Sequence, residues 1–143
     1  MEYQDIFVDD GVVEIAIKNK RNTVIARLVF NPGDTGIAKR YGEVIKALNE
    51  ISLPTDSNIS NEEAIEKIVE IDNAIAAQFN TLLGHDTKEE LFSTYTPTTA
   101  LKNGDFFAEM LIEQIGNIIE KESNIRLEAK KAKIRKATAK YHS

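Results

Sequence analysis

The sequence contains no cysteine and only two histidines, His85 and His142, among its 143 residues. These shortages exclude disulfides, thiolate metal sites and cysteine nucleophiles, and they leave little material for acid–base catalysis near neutral pH. His85 has no second histidine four residues away and lies in no HxxE or DxDxD pattern, the spacings that metal sites use. We therefore assign no catalytic residue, no metal ligand and no cofactor, and we expect a protein that is not an enzyme.

A long hydrophobic run is also missing, since no stretch approaches the roughly 20 consecutive apolar residues of a membrane-spanning helix. The first twenty residues, MEYQDIFVDDGVVEIAIKNK, start acidic and lack the continuous apolar segment of a signal peptide. We therefore expect a cytoplasmic protein without a membrane partner. Its hydrophobic content of 42% and its length fit one folded domain with a modest core.

The charged residues are distributed unevenly along the chain. Residues 126–143 hold seven basic residues and one acidic residue, a balance of +6. The remainder holds 11 basic and 22 acidic residues, a balance of −11, so an acidic body carries a basic arm. The arm has three interpretations: a contact for nucleic acid, a contact for an acidic protein partner, or a solvated helix end favoured by the helix dipole. The acidic body and the single aromatic residue in the arm count against nucleic acid.

The N-terminal part predicts an antiparallel β-hairpin over about residues 12–30. The apolar residues of VEIAIK alternate with polar or small ones, a period of two that is typical of a half-buried strand. The run TVIARLVF is rich in β-branched residues, and the polar NKRN between the two runs favours a turn. The sequence Asn-Pro-Gly at 31–33 should end the second strand, and Asp34 is then placed to cap a helix.

Apolar residues spaced three and four apart predict three main helices, over about residues 35–51, 60–83 and 105–125. The third helix contains no proline and could continue to Lys140, a length of about 54 Å at 1.5 Å per residue. We therefore expect an α+β fold that is mostly helical, in which the hairpin packs on three main helices. A single globular domain should cover residues 1–125, and residues 126–143 should form a basic helical extension.

Several polar residues mark the ends and faces of these helices. Ser60 and Glu63 form a capping-box pattern at the start of the second helix, and Gly84 is a candidate left-handed residue at its end. Thr87 repeats the capping-box spacing before the short segment ELF, which favours one further helical turn. Asp72 interrupts the apolar stripe of the second helix. As a lone carboxylate it should lie at the edge of the stripe or form a hydrogen bond across the fold.

The order of these features resembles a known family. A hairpin, a PxD-type turn and two helices precede FNTLLGHDTKEELFSTYTPTTALKNGDFFAEMLIEQI, and the lysine-rich end reads AKIRKATAKYH. This order is similar to that of the small tail assembly chaperones encoded by tailed phages and prophages of Gram-positive bacteria. The resemblance covers Val12 to Tyr141 and is most specific from Phe79 to Leu111. Many relatives place a glycine-rich link after the LF segment, where this chain has STYTP.

The resemblance implies a non-catalytic assembly factor of the host bacterial cytoplasm that is absent from the mature virion. Such a factor binds the tail tape measure protein, keeps its long helical and apolar segments soluble, and helps to recruit tail tube subunits during tail morphogenesis. Self-association is a further expectation. The alternative is a small nucleic-acid-binding regulatory protein that uses the basic arm as its contact.

We predict partner contacts on two parts of the third helix. A helical client needs an apolar helix face to pair with, and charge keeps the complex soluble. The predicted apolar contact residues are Phe106, Phe107, Met110, Leu111, Ile115 and Ile118. The predicted basic contact residues are Lys130, Lys131, Lys133, Arg135, Lys136 and Lys140.

Overall fold

A hairpin and four helices follow one another in a computed structural model that describes residues 3–51 and 59–139, with side chains up to residue 133. The elements are β1 (Val13–Lys18), β2 (Val24–Phe30), α1 (Ile37–Asn49), α2 (Asn61–Leu83), α3 (Lys88–Phe92) and α4 (Phe107–Ala139). The predicted class, an α+β fold with an N-terminal hairpin ahead of a mostly helical chain, is confirmed.

The strands β1 and β2 pair antiparallel, as the short polar link between them predicts. Ile15 lies opposite Leu28, and the register shifts between Ile17 and Lys18, at the end of β1. In the connecting turn Asn22 has a φ of 65°, a left-handed conformation that asparagine tolerates better than most residues. β2 carries most of the buried side chains of the hairpin and packs against α3.

The first helix begins at Ile37 rather than at residue 35, and the prediction that Asp34 caps it is wrong. Gly36 occupies the N-cap, and Asp34 precedes it with Oδ1 accepting from the Gly36 N–H at 3.0 Å. The other carboxylate oxygen of Asp34 accepts from Arg40 at 2.8 Å, and this bond, followed by the Gly36 N–H, lowers the pKa of Asp34. Arg40 Nε also donates to the Leu82 carbonyl at 3.2 Å, so the start of α1 is tied to the end of α2.

The second helix is capped at both ends as predicted. Ser60 Oγ accepts a hydrogen bond from the Glu63 N–H at 3.2 Å, and Gly84 ends the helix with a left-handed φ of 81°. Asp72 accepts a hydrogen bond from the Thr98 N–H at 2.9 Å. This is the cross-fold bond that was one of the two expectations for the lone carboxylate. It ties the loop between α3 and α4 to the middle of α2.

The short helix α3 is present, but the predicted capping role of the Thr87 side chain is wrong. Thr87 occupies the N-cap without a capping bond, and its N–H and hydroxyl both donate to Asn80 Oδ1 at 2.8 Å. Asp86 accepts from the Lys88 N–H at 3.1 Å instead. Because Thr87 is fully buried, its polar groups require an internal partner, and Asn80 of α2 supplies it.

The last helix continues from Phe107 to Ala139 without interruption, about 50 Å at 1.5 Å per residue. Gly116 lies in its interior at the point where Tyr41 of α1 packs, and a β-carbon at this position would overlap the end of the tyrosine ring. The Tyr41 hydroxyl donates to the Ile112 carbonyl at 3.2 Å. The glycine that lowers the helix propensity of α4 therefore allows α1 to approach it closely.

The core lies between the hairpin, α1, α2, α3 and the first part of α4. Edge-to-face aromatic contacts fill its centre, with ring centroids 5.4 Å apart for Phe79 and Phe92 and 6.1 Å apart for Phe92 and Phe107. Ile119 is the last buried hydrophobic residue of α4 among the side chains described. The domain boundary at residue 125 stays a prediction. Among the described helices, none combines the length and the apolar character that a bilayer crossing requires.

Candidate functional site

A groove of about 580 Å³ opens between α1, α2 and the start of α4, and we refer to it as the α1–α4 groove. Its volume falls within the roughly 300–1,000 Å³ of typical binding sites. Its apolar lining consists of Ile45, Leu48, Ile51, Ile71, Ile75, Phe106, Ala108 and Ile112. Most of these side chains are half-buried, so they contact the core on one side and face the open groove on the other.

Carboxylates line one side of the α1–α4 groove. Glu109 and Glu113 are spaced four residues apart, which places them along one face at the start of α4, and Asp105 lies two residues before this helix. Glu109 Oε1 also accepts a hydrogen bond from the Phe106 N–H at 3.0 Å, which fixes this carboxylate beside the apolar lining. Burial, and after it the charge of Glu113, raises the pKa of Tyr41. No lysine or arginine belongs to the described lining, so the groove carries negative charge.

The structure separates the predicted apolar contact residues into two groups. The fully buried members are Phe107, Leu111 and Ile115. These three stabilise the core and present no surface to a partner in this conformation. Met110 and Ile118 are partly buried against the core, and of the six only Phe106 lines the α1–α4 groove. A partner-binding role for these residues stays a prediction. Because three of the six are fully buried and Phe106 lines the groove, Phe106 is the best placed of them to contact a partner.

Sequence analysis does not find the α1 and α2 walls of the groove. Leu48 belongs to the predicted apolar stripe of α1, and Ile71 lies beside that of α2. Such a stripe predicts which residues avoid water, but it does not reveal which neighbouring helix covers them or leaves them open.

Five of the six predicted basic contact residues lie at the other end of α4, away from the groove. Lys130, Lys131 and Lys133 are all exposed, and Lys131 Nζ lies 3.5 Å from a carboxylate oxygen of Glu128. Arg135 and Lys136 belong to the last turns of α4, where side chains are not described. Lys140 lies outside the described residues. The three described lysines thus extend α4 as a cationic helix beyond the packed body.

Arg126 joins α4 to the N-terminal segment and to the turn after β2, a contact that we call the Arg126 junction. Its Nη2 donates to the Gly11 carbonyl at 3.0 Å, and its Nη1 donates to Asn31 Oδ1 at 3.1 Å. A β-carbon at Gly33 would overlap the guanidinium, so a larger residue here would displace the Arg126 side chain. Asn31 Nδ2 donates in turn to the Asp10 carbonyl at 2.8 Å. The sequence assigns Arg126 to the basic arm by charge and does not reveal this role.

His85 lies between two hydrogen-bond acceptors. Its Nε2 lies 2.9 Å from Glu90 Oε2, and its Nδ1 lies 3.1 Å from the Leu83 carbonyl oxygen. Two acceptors favour the doubly protonated ring, and the Glu90 hydrogen bond raises the pKa of His85. Within residues 3–51 and 59–139, no three histidine or carboxylate side chains meet in an arrangement that could hold a metal ion.

No protein family, curated protein or solved structure matches this chain. The α1–α4 groove has the concave apolar lining that accepts a helix face, and its carboxylates select for basic neighbours. The cationic end of α4 has exposed charge without a concave apolar lining.

Proposed function

We propose that this protein is a non-catalytic assembly chaperone that holds a helical segment of its client in the α1–α4 groove. The client is the tail tape measure protein of a tailed phage, and the bound chaperone helps to recruit tail tube subunits during tail morphogenesis. This work takes place in the cytoplasm of the host bacterium, and the chaperone is absent from the mature virion. The observation that carries the proposal is the open apolar groove, while the order of elements along the chain points to the client class.

The shape and chemistry of the α1–α4 groove support a helical client. Half-buried side chains of two different helices, such as Leu48 of α1 and Ile71 of α2, line the groove, as does Phe106 just before α4. An amphipathic helix places large apolar residues at i, i+3, i+4 and i+7, which suits a groove with apolar walls on both sides. A tape measure protein offers many such segments, and these require cover before the tail tube encloses them.

The carboxylates of the groove determine which client helix is preferred. Asp105, Glu109 and Glu113 lie along one wall, so a client helix with lysine or arginine beside its apolar stripe is favoured electrostatically. Glu113→Lys should lower the affinity for such a segment by roughly tenfold, since it replaces an attraction by a repulsion. Glu43→Lys is the matched control, because it makes the same charge change at an exposed position of α1 outside the groove.

The main experiment compares Ile71→Glu with Val69→Glu in pull-downs against the products of the neighbouring genes. Both residues lie on α2 and both substitutions place a carboxylate on an apolar position, but only Ile71 lines the groove. Val69 is 52% exposed and serves as the control. We expect wild type and Val69→Glu to retain a long helical tape measure protein, and Ile71→Glu to lose it. Thermal unfolding of the three proteins verifies that each is folded.

Equal retention by folded Ile71→Glu and by wild type would contradict the groove as the client site. Duplex DNA is included as a competitor at low and moderate salt. If DNA displaces the client, or if DNA alone is retained and salt releases it, the proposal is wrong and the basic arm is the functional site. Retention of the client in the presence of DNA supports the chaperone.

The second candidate function is a nucleic-acid-binding regulator, which the three exposed lysines near the end of α4 favour. A helix that places Lys130, Lys131 and Lys133 on phosphates releases counterions, so its affinity falls steeply with salt. Replacing these lysines by glutamine should flatten the salt dependence by about 0.9 in log–log slope for each phosphate that is no longer neutralised. Such a result with duplex DNA, together with equal client retention by wild type and Ile71→Glu, would favour this function over the chaperone.

A further inference from the structure

The N-terminal arm, residues 3–10, is an unusually apolar segment for one without regular secondary structure. Ile6 and Phe7 are 86% and 92% exposed, and Tyr3 and Val8 are exposed as well. Acidic residues flank the run Ile6–Val8, since Asp5 precedes it and Asp9 follows it. Large exposed apolar side chains grouped in this way mark an interaction site rather than ordinary surface.

The last part of α4 has the complementary character. We call residues 127–139 the α4 extension, in which every described side chain is exposed. Leu127 is 52% exposed, and Ile125, which directly precedes Arg126, is exposed to the same extent. Lys130 and Lys133 follow on the same helix and carry the opposite charge to that of the N-terminal arm. The two segments therefore carry opposite, complementary charges, and both expose apolar side chains that require a partner.

Both segments start from the Arg126 junction. Arg126 precedes the α4 extension directly, and it donates to the carbonyl of Gly11, the residue that follows the N-terminal arm. Their lengths are comparable, since eight extended residues reach about 26 Å and thirteen helical residues about 20 Å. Among the described side chains, however, no hydrogen bond or ion pair joins the two segments within one chain, and Phe7 stays exposed.

We propose that the N-terminal arm of one copy lies along the α4 extension of a second copy, and that the exchange is reciprocal. Apolar residues of the arm then cover Leu127 and its neighbours, while Asp5 and Asp9 face the lysines. A two-fold dimer makes this contact twice, and the Arg126 junction holds both segments at the same point in each copy. This inference does not rest on the proposed function, because neither segment lines the α1–α4 groove.

The test uses sedimentation of the full chain over a range of concentrations. The arm variant Gln4→Lys/Asp5→Lys changes two exposed residues that make none of the turn bonds of Asp9 and Asp10. The extension variant is Lys130→Glu/Lys133→Glu. Each variant alone places like charges opposite each other in both contacts, so we expect its dimer dissociation constant to rise at least roughly tenfold.

Mixing the two variants provides the decisive measurement. In a mixed dimer the cationic arm of one variant faces the anionic extension of the other, and the remaining pair keeps its natural charges. We therefore expect the mixture to form a heterodimer with an affinity close to that of wild type. Lys18→Glu/Lys20→Glu makes the same charge change as the extension variant, but on the hairpin, and should leave the dimer intact.

Three results would overturn the inference. The first is a wild-type protein that stays monomeric at all concentrations, and the second is a dimer that persists in both charge variants. The third is the absence of a heterodimer when both variants are monomeric, since this would exclude pairing between arm and extension. Loss of client binding in a protein that still dimerises bears only on the groove, so the two proposals fail separately.

Discussion

The two halves of α4 form one continuous helix, but the first half packs in the core and the second half is exposed to solvent. From Phe107 to Ile119 the helix buries a side chain at nearly every turn, whereas from Leu127 to Lys133 every described side chain is exposed. The first half places large apolar residues four apart, and the second half, from Leu127 onward, is built mostly from alanine, glutamate, lysine and arginine. Burial thus stabilises the first half, while intrinsic propensity sustains the second, because these residues are the strongest helix formers.

The sharpest way to break this comparison is to make the same substitution in both halves. Leu111 is fully buried and Leu127 is 52% exposed. Leu111→Ala should lower the free energy of unfolding by about 2–5 kcal/mol, because it removes buried methyl groups and leaves a cavity. Leu127→Ala should change it by less than about 0.5 kcal/mol. Urea denaturation of the monomeric protein at low concentration measures both.

Equal losses from the two leucine substitutions would mean that the second half of α4 packs as tightly as the first. That outcome would contradict the exposure of residues 127–133. The more drastic Phe107→Asp and Leu111→Asp should prevent folding altogether, since each would bury a carboxylate in the core. They therefore test the fold rather than client binding.

A substitution at Arg126, at the boundary between the two halves, should lower the free energy of unfolding less than Leu111→Ala does. Arg126→Ala removes the hydrogen bonds to Gly11 and Asn31 and should cost about 1–2 kcal/mol, less than two fully buried charged bonds because the side chain is 36% exposed. Lys133→Ala, a charge-matched change beyond the junction, should have almost no effect. Hydrogen exchange at the Gly11 segment should speed up in Arg126→Ala, and unchanged exchange would show that the junction does not hold the segment.

The sequence predicts the elements of this fold well because their signals are local. The alternation of VEIAIK, the Ser60 cap and the left-handed Gly84 each depend on a few neighbouring residues, and all three are confirmed. The capping errors at Asp34 and Thr87 arise differently. Asp34 Oδ1 accepts from the Gly36 N–H in the turn before α1, so the helix begins after it, whereas the Thr87 hydroxyl donates to Asn80 of α2 instead of capping α3.

The candidate site is predicted less completely than the fold, for a physical reason. An apolar stripe shows that residues such as Leu111 and Leu48 avoid water, but burial depends on what the other helices leave uncovered. The sequence therefore places contacts on α4, where Leu111 belongs to the core, and omits the α1 wall with Leu48. The Arg126 junction connects residues 115 positions apart, a separation beyond any local pattern.

The glycine in the packed half of α4 gives a smaller effect whose sign is informative. Gly116→Ala should lower stability by roughly 1 kcal/mol, because overlap with Tyr41 outweighs the gain in helix propensity. Gly42→Ala in α1 should raise stability by roughly 0.5–1 kcal/mol, since nothing lies within 4 Å of its added β-carbon. Thermal unfolding compares the pair. A stabilising Gly116→Ala would mean that α1 and α4 approach less closely.

The smallest expected effect is a pH dependence of stability that arises in the packed body, at the His85–Glu90 pair, and not in the α4 extension. Because the pKa of His85 is raised above its ordinary 6.5, the folded state holds the proton more tightly than the unfolded state. The His85–Glu90 pair therefore contributes fully to the free energy of unfolding below about pH 6.5, and this contribution is lost as the pH rises through the folded-state pKa. For a pair this exposed the loss should be less than about 1 kcal/mol. Glu90→Gln should flatten the fall in stability above pH 6.5, whereas Lys130→Gln, which removes a charge from the extension, should leave it unchanged. If both substitutions flattened the fall in stability above pH 6.5 equally, the pH dependence would not come from the His85–Glu90 pair. The body and the extension would then not differ in this respect.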